Sequence, residues 1–562
     1  MIGVSRVLIA QVAIVALIGG FVSFCAHFFV AGIQYFENFR SQQTQYIDIF
    51  GFSFNLWTAG LLISAYLLVI LVRTVGHMPK WESPADIIYC AQNRQHQLAT
   101  KGGLLTIFAS FVSLAGGASL GQYGPLVHLG GTIGVAISRW YHSVWLGRDV
   151  IIGCGVAAAI SAGFNAPIAG IIFAHEAVLR HFSGRSLALI SIASVSSSTI
   201  NRTLFDTVDI FEITQSFTVS GEMAVISLIA GVGFGISAIF MIRALFTINM
   251  IASYSKTAYR WLAVLGLIYL IFLSQTLPEV LGLGIGVINN LFTNVETTQM
   301  LFILLAAKLS AVILSATMGF SGGFVGPALF IGAVLGALLA HLAVFFGLSS
   351  LTMMLVVSGS AAVAGTVFGA PLGMVILVLE LTHSYDLTLA AMLSIIVSSL
   401  IFHLFYGHSL FDLQLLARGI DLAKGRIFLE LETTKLASLA TDDFLSFTPE
   451  VSKKTIIEKM QKNKLAEAYC ITEDGSFLGK ISIFDVMTAS QKTAASLANP
   501  NCLQLLASQS INDAMKIAID FVGEAIPVID PQNQQLVGVV SEADLFRAYS
   551  TITQRVREIE TA

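Results

Sequence analysis

Gly121-Gln122-Tyr123-Gly124-Pro125, with Gly130 and Gly134 behind it, returns about 202 residues later as Gly326-Pro327 with Gly332 and Gly336. A second stretch, Phe164-Asn165-Ala166-Pro167-Ile168 with Glu176 downstream, returns at an offset of about 204 as Phe368-Gly369-Ala370-Pro371-Leu372 with Glu380 downstream. Gly and Pro recur in many membrane helices, but recurrence by composition does not account for the two glutamates. The segments around both motifs are apolar and broken by Gly and Pro. Non-helical backbone at membrane depth is tolerated only where it is buried in protein or lines a wet cavity. Paired interrupted segments in corresponding halves of a chain therefore point to a transport site near the bilayer midplane.

The composition agrees with a bilayer setting. Of 562 residues, 55% are hydrophobic and only 11% charged, and mean hydropathy is +0.80. Soluble domains carry about 25% charged residues, so a secreted or cytosolic enzyme is excluded as the bulk of the molecule. The 39 Phe exclude disorder, and a net charge of −4 offers no basic surface to nucleic acid. Five scattered Cys indicate neither a disulfide framework nor a zinc site, and no metal is expected. About 33 of the charged side chains lie from Asp421 onward, in roughly a quarter of the chain. Two domains are expected, a membrane part over 1–420 and a soluble tail over 425–562, with the seam in Ala417–Gly425. Within the first, the repeat halves run over about 1–205 and 215–415. The apolar run after Met1–Arg6 has no small-residue cleavage site behind it and reads as a first membrane helix. From Val7 to Phe405 there are roughly fourteen to eighteen apolar segments, many shorter than the ~20 residues a spanning helix needs.

In each repeat a Gly-rich turn immediately precedes an apolar helical stretch. A helix starting there exposes unpaired N–H groups and the positive end of its dipole, which attract anions strongly in a dry setting. A cation pathway calls for intramembrane carboxylates, and the candidates are few, chiefly Glu176 and Glu380. Lys101 and Lys308 precede the Gly-rich turns. They add positive potential if they face inward and none if they snorkel to the interface.

These residues resemble the CLC family of chloride channels and chloride/proton exchangers. Val75-Gly76-His77-Met78-Pro79 stands where that family has GSGIP, Gly121–Pro125 where it has GREGP, and Gly322–Pro327 where it has GxFxP. Leu410-Phe411 matches the region of its anion-contacting Tyr. Gly163-Phe164-Asn165-Ala166-Pro167, with Gly170, is the most specific stretch. The resemblance implies an all-α polytopic fold, an inverted repeat of short tilted helices, followed by a cytoplasmic α/β tail. It also implies a homodimer in the cell's inner or plasma membrane with one chloride pathway per subunit. The protein is then a voltage-driven transporter of anions and not an enzyme. Anion-binding positions carried over are Gly76, His77, Phe324, Val325 and Phe411, with Gly121, Gln122, Gly124 and Pro125 as the pathway turn.

The departures carry mechanism. Tyr123 replaces the family's gating Glu, and the inner proton Glu falls on Ala177, with Glu176 one residue earlier. The Ser and Tyr hydroxyls that contact the anion fall on Gly76 and Phe411. A phenol is neutral at working pH and exchanges protons poorly. The expectation is channel-like or weakly proton-coupled conduction with Tyr123 as gate. The alternative is a proton-coupled antiporter using another relay, for which His175 and Glu176 are candidates. The plainer readings are that Tyr123 packs at the wall, that Glu176 bonds backbone, and that His128 and His175 are satisfied core histidines.

The tail repeats as well. Gly479-Lys480-Ile481-Ser482, with Asp485, returns about 59 residues later as Gly538-Val539-Val540-Ser541, with Asp544. Each copy has a β-like run before it and a helix-like stretch after it, over about 430–490 and 500–560. This resembles a tandem pair of CBS domains. In that family the matching Ser and Asp contact adenine nucleotides such as ATP or AMP, so Ser482, Asp485, Ser541 and Asp544 are nucleotide candidates; their plainer role is capping. No other cofactor is expected. A CBS-regulated divalent-cation channel is disfavoured by the lack of clustered membrane carboxylates, and a non-conducting sensor remains as a competing reading.

Overall fold

The computed structural model describes residues 2–42, 46–49, 52–93, 96, 98–141, 146–205, 211, 220–253, 256–293, 296–348, 351–490 and 492–561. They fall into two compact units, the first comprising Met1–Gln92 and His96–Ile420, the second including Asp421–Thr561.

In the first unit α1 (Ile2–Gln42) and α2 (Leu56–Val75) flank a hairpin of β1 (Tyr46–Ile49) and β2 (Phe52–Asn55). Then follow α3 (Pro84–Gln92), α4 (Thr100–Gly116), α5 (Tyr123–Trp140), α6 (Arg148–Phe164), α7 (Pro167–Phe173), which continues as a π-helical turn Ala174–Leu179, and α8 (Gly184–Leu204). Two long helices, α9 (Gly221–Ser253) and α10 (Lys256–Thr276), come next. They are followed by α11 (Ile285–Thr293), α12 (Thr298–Thr317), α13 (Val325–Phe345), α14 (Thr352–Phe368), α15 (Pro371–Thr382), α16 (Tyr385–Phe405) and α17 (Leu410–Leu416). Among the described residues seven helices are long and apolar enough to cross a bilayer, whereas Thr100–Gly116, Pro167–Leu179, Thr352–Phe368 and Pro371–Thr382 are apolar but shorter. The chain is therefore a polytopic helical protein whose repeat mixes helices of spanning length with shorter apolar ones.

Helix boundaries follow from the recurring residues. Pro167 and Pro371 open α7 and α15 in the first-turn position, where a missing N–H costs nothing. Left-handed residues close the preceding helices, Asn165 after α6 (φ 56°) and Gly369 after α14 (φ 67°).

The two copies hold each other by equal exchange. Gly121 N–H donates to Gly323 O and Gly323 N–H to Gly121 O, both at 2.7 Å. Ser119 N–H donates to Ser315 Oγ (3.2 Å), and Ser321 N–H to Ser113 Oγ (3.1 Å). Glu176 accepts from Leu372 and Gly373 N–H (3.0 and 2.8 Å), and Glu380 from Ile168 and Ala169 N–H (2.9 and 2.7 Å). Reciprocity of this kind is the signature of a local two-fold relation. The crossing is backbone against backbone, because a Cβ on Gly124 would stand 2.7 Å from Gly323 Cα. Only glycine fits there.

The second unit begins with α18 (Arg426–Thr433) and contains two three-stranded sheets of one topology. β3 (Ser446–Phe447) runs parallel to β4 (Glu467–Ile471), which is antiparallel to β5 (Phe477–Ser482); β6 (Leu505–Leu506), β7 (Ile526–Ile529) and β8 (Leu536–Val540) repeat that order. Helices α19 (Lys453–Asn463), α20 (Ile483–Thr488) and α21 (Ala494–Leu497) belong to the first copy, α22 (Ile511–Ala518) and α23 (Glu542–Thr561) to the second. Each copy has its own apolar core, around Ile456, Cys470 and Ile481 in one and Ile511, Val528 and Leu545 in the other. Here too the copies exchange bonds: Glu524 accepts from Ala466 and Glu467 N–H, and Glu467 from Glu524 and Ala525 N–H.

Replacing Gly124 by Val is expected to cost about 3 kcal/mol or more, since the facing atoms are backbone and cannot turn aside. The readout is loss of a monodisperse peak in size-exclusion chromatography, while Gly60→Ala, with nothing within 4 Å of the new Cβ, leaves the peak unchanged. In the tail, the Ser541 hydroxyl, with further help from its N–H and Arg547, holds the Asp544 carboxyl below the usual aspartate value. The stability this adds is present above that usual value, about pH 4, and is lost as pH falls toward the folded one. Hydrogen-exchange protection at the start of α23 should drop on acidification in the native chain but not in Asp544→Asn.

Candidate anion site and pathway

The Gly121–Gly323 crossing brings together the starts of α5 and α13. Neither is capped by a side chain, although Gln122 and Phe324 occupy the cap positions. Two sets of first-turn N–H groups, with the positive ends of two helix dipoles, therefore lie close to one point without a protein acceptor from the capping residue. Beside them is a cavity of about 30 Å³ walled by Tyr123, Val127, Phe164, Val325, Phe368 and the α7 and α15 starts at Ala169 and Gly373.

Tyr123, the first residue of α5, is 3% exposed. Its ring stacks on Phe164 at 3.6 Å and 10°. The phenolic oxygen is buried and completes no hydrogen bond. Apart from that hydroxyl, the side chains walling the cavity are apolar.

The structure brings most of the expected positions to this place. Gly121, Gln122, Gly124 and Pro125 are buried at the crossing and the first turn of α5. Phe324 precedes α13 and Val325 opens it, on the cavity wall. Phe411, buried on α17, sets its ring 5.2 Å from Phe368.

Gly76 and His77 lie elsewhere. They end α2: Gly76 N–H returns to Val72 O, His77 takes a left-handed φ of 51°, and its side chain is exposed. A helix of twenty residues must be closed before the chain can turn, and here the right-handed Gly76 and the left-handed His77 are taken up by that closure. The segment that reaches the crossing is Ser83-Pro84 at the start of α3, where Pro84 Cγ lies 3.9 Å from a Cβ built on Gly124. Ser83 Oγ donates to Gln414 of α17 at 3.0 Å, and Ser83 N–H donates to Asp86 at 2.7 Å. The available signal was a Ser-Pro helix start with an acid three residues on.

The relay candidates are occupied by structure. Glu176 spans two N–H groups of α15, and Ala177 is buried. His175 is satisfied at both nitrogens, Nδ1 on Ile171 O and Nε2 on Ser186 Oγ, each at 3.0 Å. Lys308 points inward and is fully buried, donating to Val280 O (2.8 Å) and Gly282 O (3.0 Å) with its ammonium 4.9 Å from the Phe330 ring centre; Lys101 is exposed.

In the tail, Ser541 and Asp544 cap α23, with Ser541 Oγ 2.6 Å from the carboxylate, and both line a cavity of about 320 Å³. Phe444 and Tyr469 offer it rings, and Asp443, Glu467 and Glu524 offer it carboxylates. Ser482 precedes α20 without a capping bond, Asp485 is exposed, and neither lines this cavity. Among the described residues no cluster of three His, Cys, Asp or Glu side chains is arranged to hold a metal.

Known proteins share this arrangement. Residues 60–403 match the family described as "Voltage gated chloride channel", and residues 494–551 the family described as "CBS domain". A putative chloride channel protein, ClcB-like, of Ralstonia nicotianae is 27% identical over 375 residues, covering 65% of this chain and 87% of its own length. An H(+)/Cl(-) exchange transporter, ClcA, of Vibrio parahaemolyticus is 23% identical over 430 residues, 72% and 89% of the two chains. Among solved structures, a slow cyanobacterial Cl-/H+ antiporter superposes with a TM-score of 0.62 at 19% identity, covering 73% of this chain and 97% of its own. A eukaryotic CLC transporter gives 0.62 at 15% identity, covering 96% and 98%. With the family match spanning most of the membrane unit and the paired turns meeting as described, the chain is a member of the voltage gated chloride channel family with a CBS domain in its tail.

Proposed function

We infer that this protein conducts chloride or a similar small anion down its electrochemical gradient, with little or no obligatory proton exchange. The observation that carries the reading is Tyr123: a neutral phenol, stacked on Phe164, at the uncapped start of α5. Coupled exchange needs a group that takes up a proton and competes with the anion, and a buried phenol is poorly suited to both. Glu176, the acid nearest to the family's inner position, is engaged by two backbone N–H groups, and the small cavity that Tyr123 shares with α15's start has otherwise apolar walls. Uncapped N–H groups at α5 and α13 supply the anion's ligands, and buried Lys308 adds positive potential. The working unit is a homodimer with one pathway per subunit, and the tail faces the cytoplasm.

The same reading assigns the tail a nucleoside-type ligand beside Phe444 and Tyr469. Four carboxylates around that cavity, Asp443, Glu467, Glu524 and Asp544, oppose added phosphates, so affinity is expected to fall from adenosine or AMP to ATP. Isothermal titration with the three ligands checks that order.

In proteoliposomes loaded with chloride, the wild type should release the anion once valinomycin shunts the voltage, with no uphill proton movement. Tyr123→Ala should raise the flux about tenfold by opening the plugged turn, a change of ~1.4 kcal/mol in the barrier. Proton transport at a fixed ratio to chloride in the wild type, lost in Tyr123→Ala, overturns the uncoupled reading.

A further inference from the structure

Gly124, His128 and Thr132 are spaced by four on α5 and so form one stripe along the helix. Gly124 meets the crossing, and His128 lies one turn below it. Thr132 lies a turn further, against α4, where a Cβ on Gly103 would press on its side chain. Facing this stripe is Glu82, the residue before Ser83-Pro84. Its N–H donates to Thr106 Oγ1 at 3.2 Å, and Gly102 leaves room for its carboxylate.

His128 is 1% exposed, yet neither ring nitrogen makes a hydrogen bond. Its Nε2 stands 3.5 Å from Glu82 Oε2, whose side chain is 18% exposed. Glu82 Oε2 and Thr132 Oγ1 are likewise buried without hydrogen bonds. Four unsatisfied polar atoms in one place are rare in a packed interior, where such groups are almost always paired. His175, equally buried, shows the satisfied alternative.

We propose that Glu82 and His128 form a proton-binding site beside the anion pathway, through which pH sets anion occupancy. This rests on the anion-conducting reading above. With His128 protonated, the pair is imidazolium and carboxylate and carries no net charge. Deprotonation leaves one negative charge a helical turn from the crossing, where it repels the anion. By linkage, anion binding and proton binding at this pair must favour each other equally.

The other charged groups on neighbouring elements have partners of their own or face solvent. Asp86 of α3 pairs with Arg418. Arg148 of α6 donates to His96 O and Cys90 Sγ, and Asp149 stands beside it at the helix start and acts on Arg185. Lys101 of α4 is exposed, and Arg139 of α5 donates to Thr100. Glu37 and Arg40 of α1 lie by Gly282, and His341 of α13 bonds Thr298. Glu82 also acts electrostatically on His96.

The test is chloride flux through the full chain in liposomes at symmetric pH from 5.5 to 8.5. The wild type should fall about tenfold as pH rises. His128→Gln should be slow across the neutral range, responding only in more acid conditions, and Glu82→Gln should stay fast at pH 8.5. Wild-type profiles in both variants overturn the proposal. A second measurement does not depend on transport: adding chloride to detergent-solubilised protein in unbuffered solution at pH 7 should draw in a fraction of a proton per subunit. His128→Gln should abolish that uptake, and uptake equal to wild type in His128→Gln overturns the proposal. Absence of flux at every pH would instead count against the conducting function, while chloride-linked proton uptake still decides on the dyad.

Discussion

Helices that begin inside a membrane leave first-turn N–H groups with no water to bond, and each such group must find an acceptor. The starts of α5, α7, α13 and α15 in this chain's repeat are treated in two ways. At α7 and α15 a carboxylate from the opposite repeat spans two N–H groups: Glu380 holds α7, and Glu176 holds α15. At α5 and α13 no side chain caps the helix. The first pair is closed by protein and locks the halves together. The second pair is left uncapped by side chains, and the proposed anion site is built on that difference.

The exchange also explains why so few acids are present and why they recur. A buried carboxylate is costly unless several donors hold it, and the ends of the partner helices provide donors already oriented. Removing either glutamate would leave two N–H groups of the other repeat unsatisfied, so the pair acts as a structural unit. The tail uses the same device at a smaller scale, with Glu467 and Glu524 each accepting from the other copy's strand entry and Lys480 paired with Glu467 at 2.6 Å. Two unrelated repeats in one chain thus solve the same problem, the joining of two like units about a two-fold, by trading carboxylates for N–H groups.

Glycine is the other half of the constraint. Two turns can exchange backbone bonds at 2.7 Å only if no Cβ intervenes, and the Gly121–Gly323 bridge brings both open helix starts to one point. Serines 113, 119, 315 and 321 then fix the turns from the sides. The crossing is therefore made by main chain, with the stacked rings of Tyr123 and Phe164 beside it.

The sequence by itself determined the membrane class, the two-fold repeat, the helix starts at Pro167 and Pro371 and the CBS-type tail, because hydropathy, Gly, Pro and repeat spacing act locally and leave a trace at fixed offsets. It also singled out Phe324, Val325 and Tyr123, which lie together because each follows directly from a turn that the repeat marks. What it left open were questions of partner. Glu176 reads equally as relay or anchor until α15 is seen to donate to it; His128 and His175 look alike on apolar stretches, yet one is satisfied and the other is not. The Gly76 turn and the Ser83-Pro84 turn are seven residues apart, and only the packing of α3 against α5 decides which one reaches the crossing. A hydrogen bond between residues about 200 positions apart has no local signature, so these roles were decided by the tertiary structure.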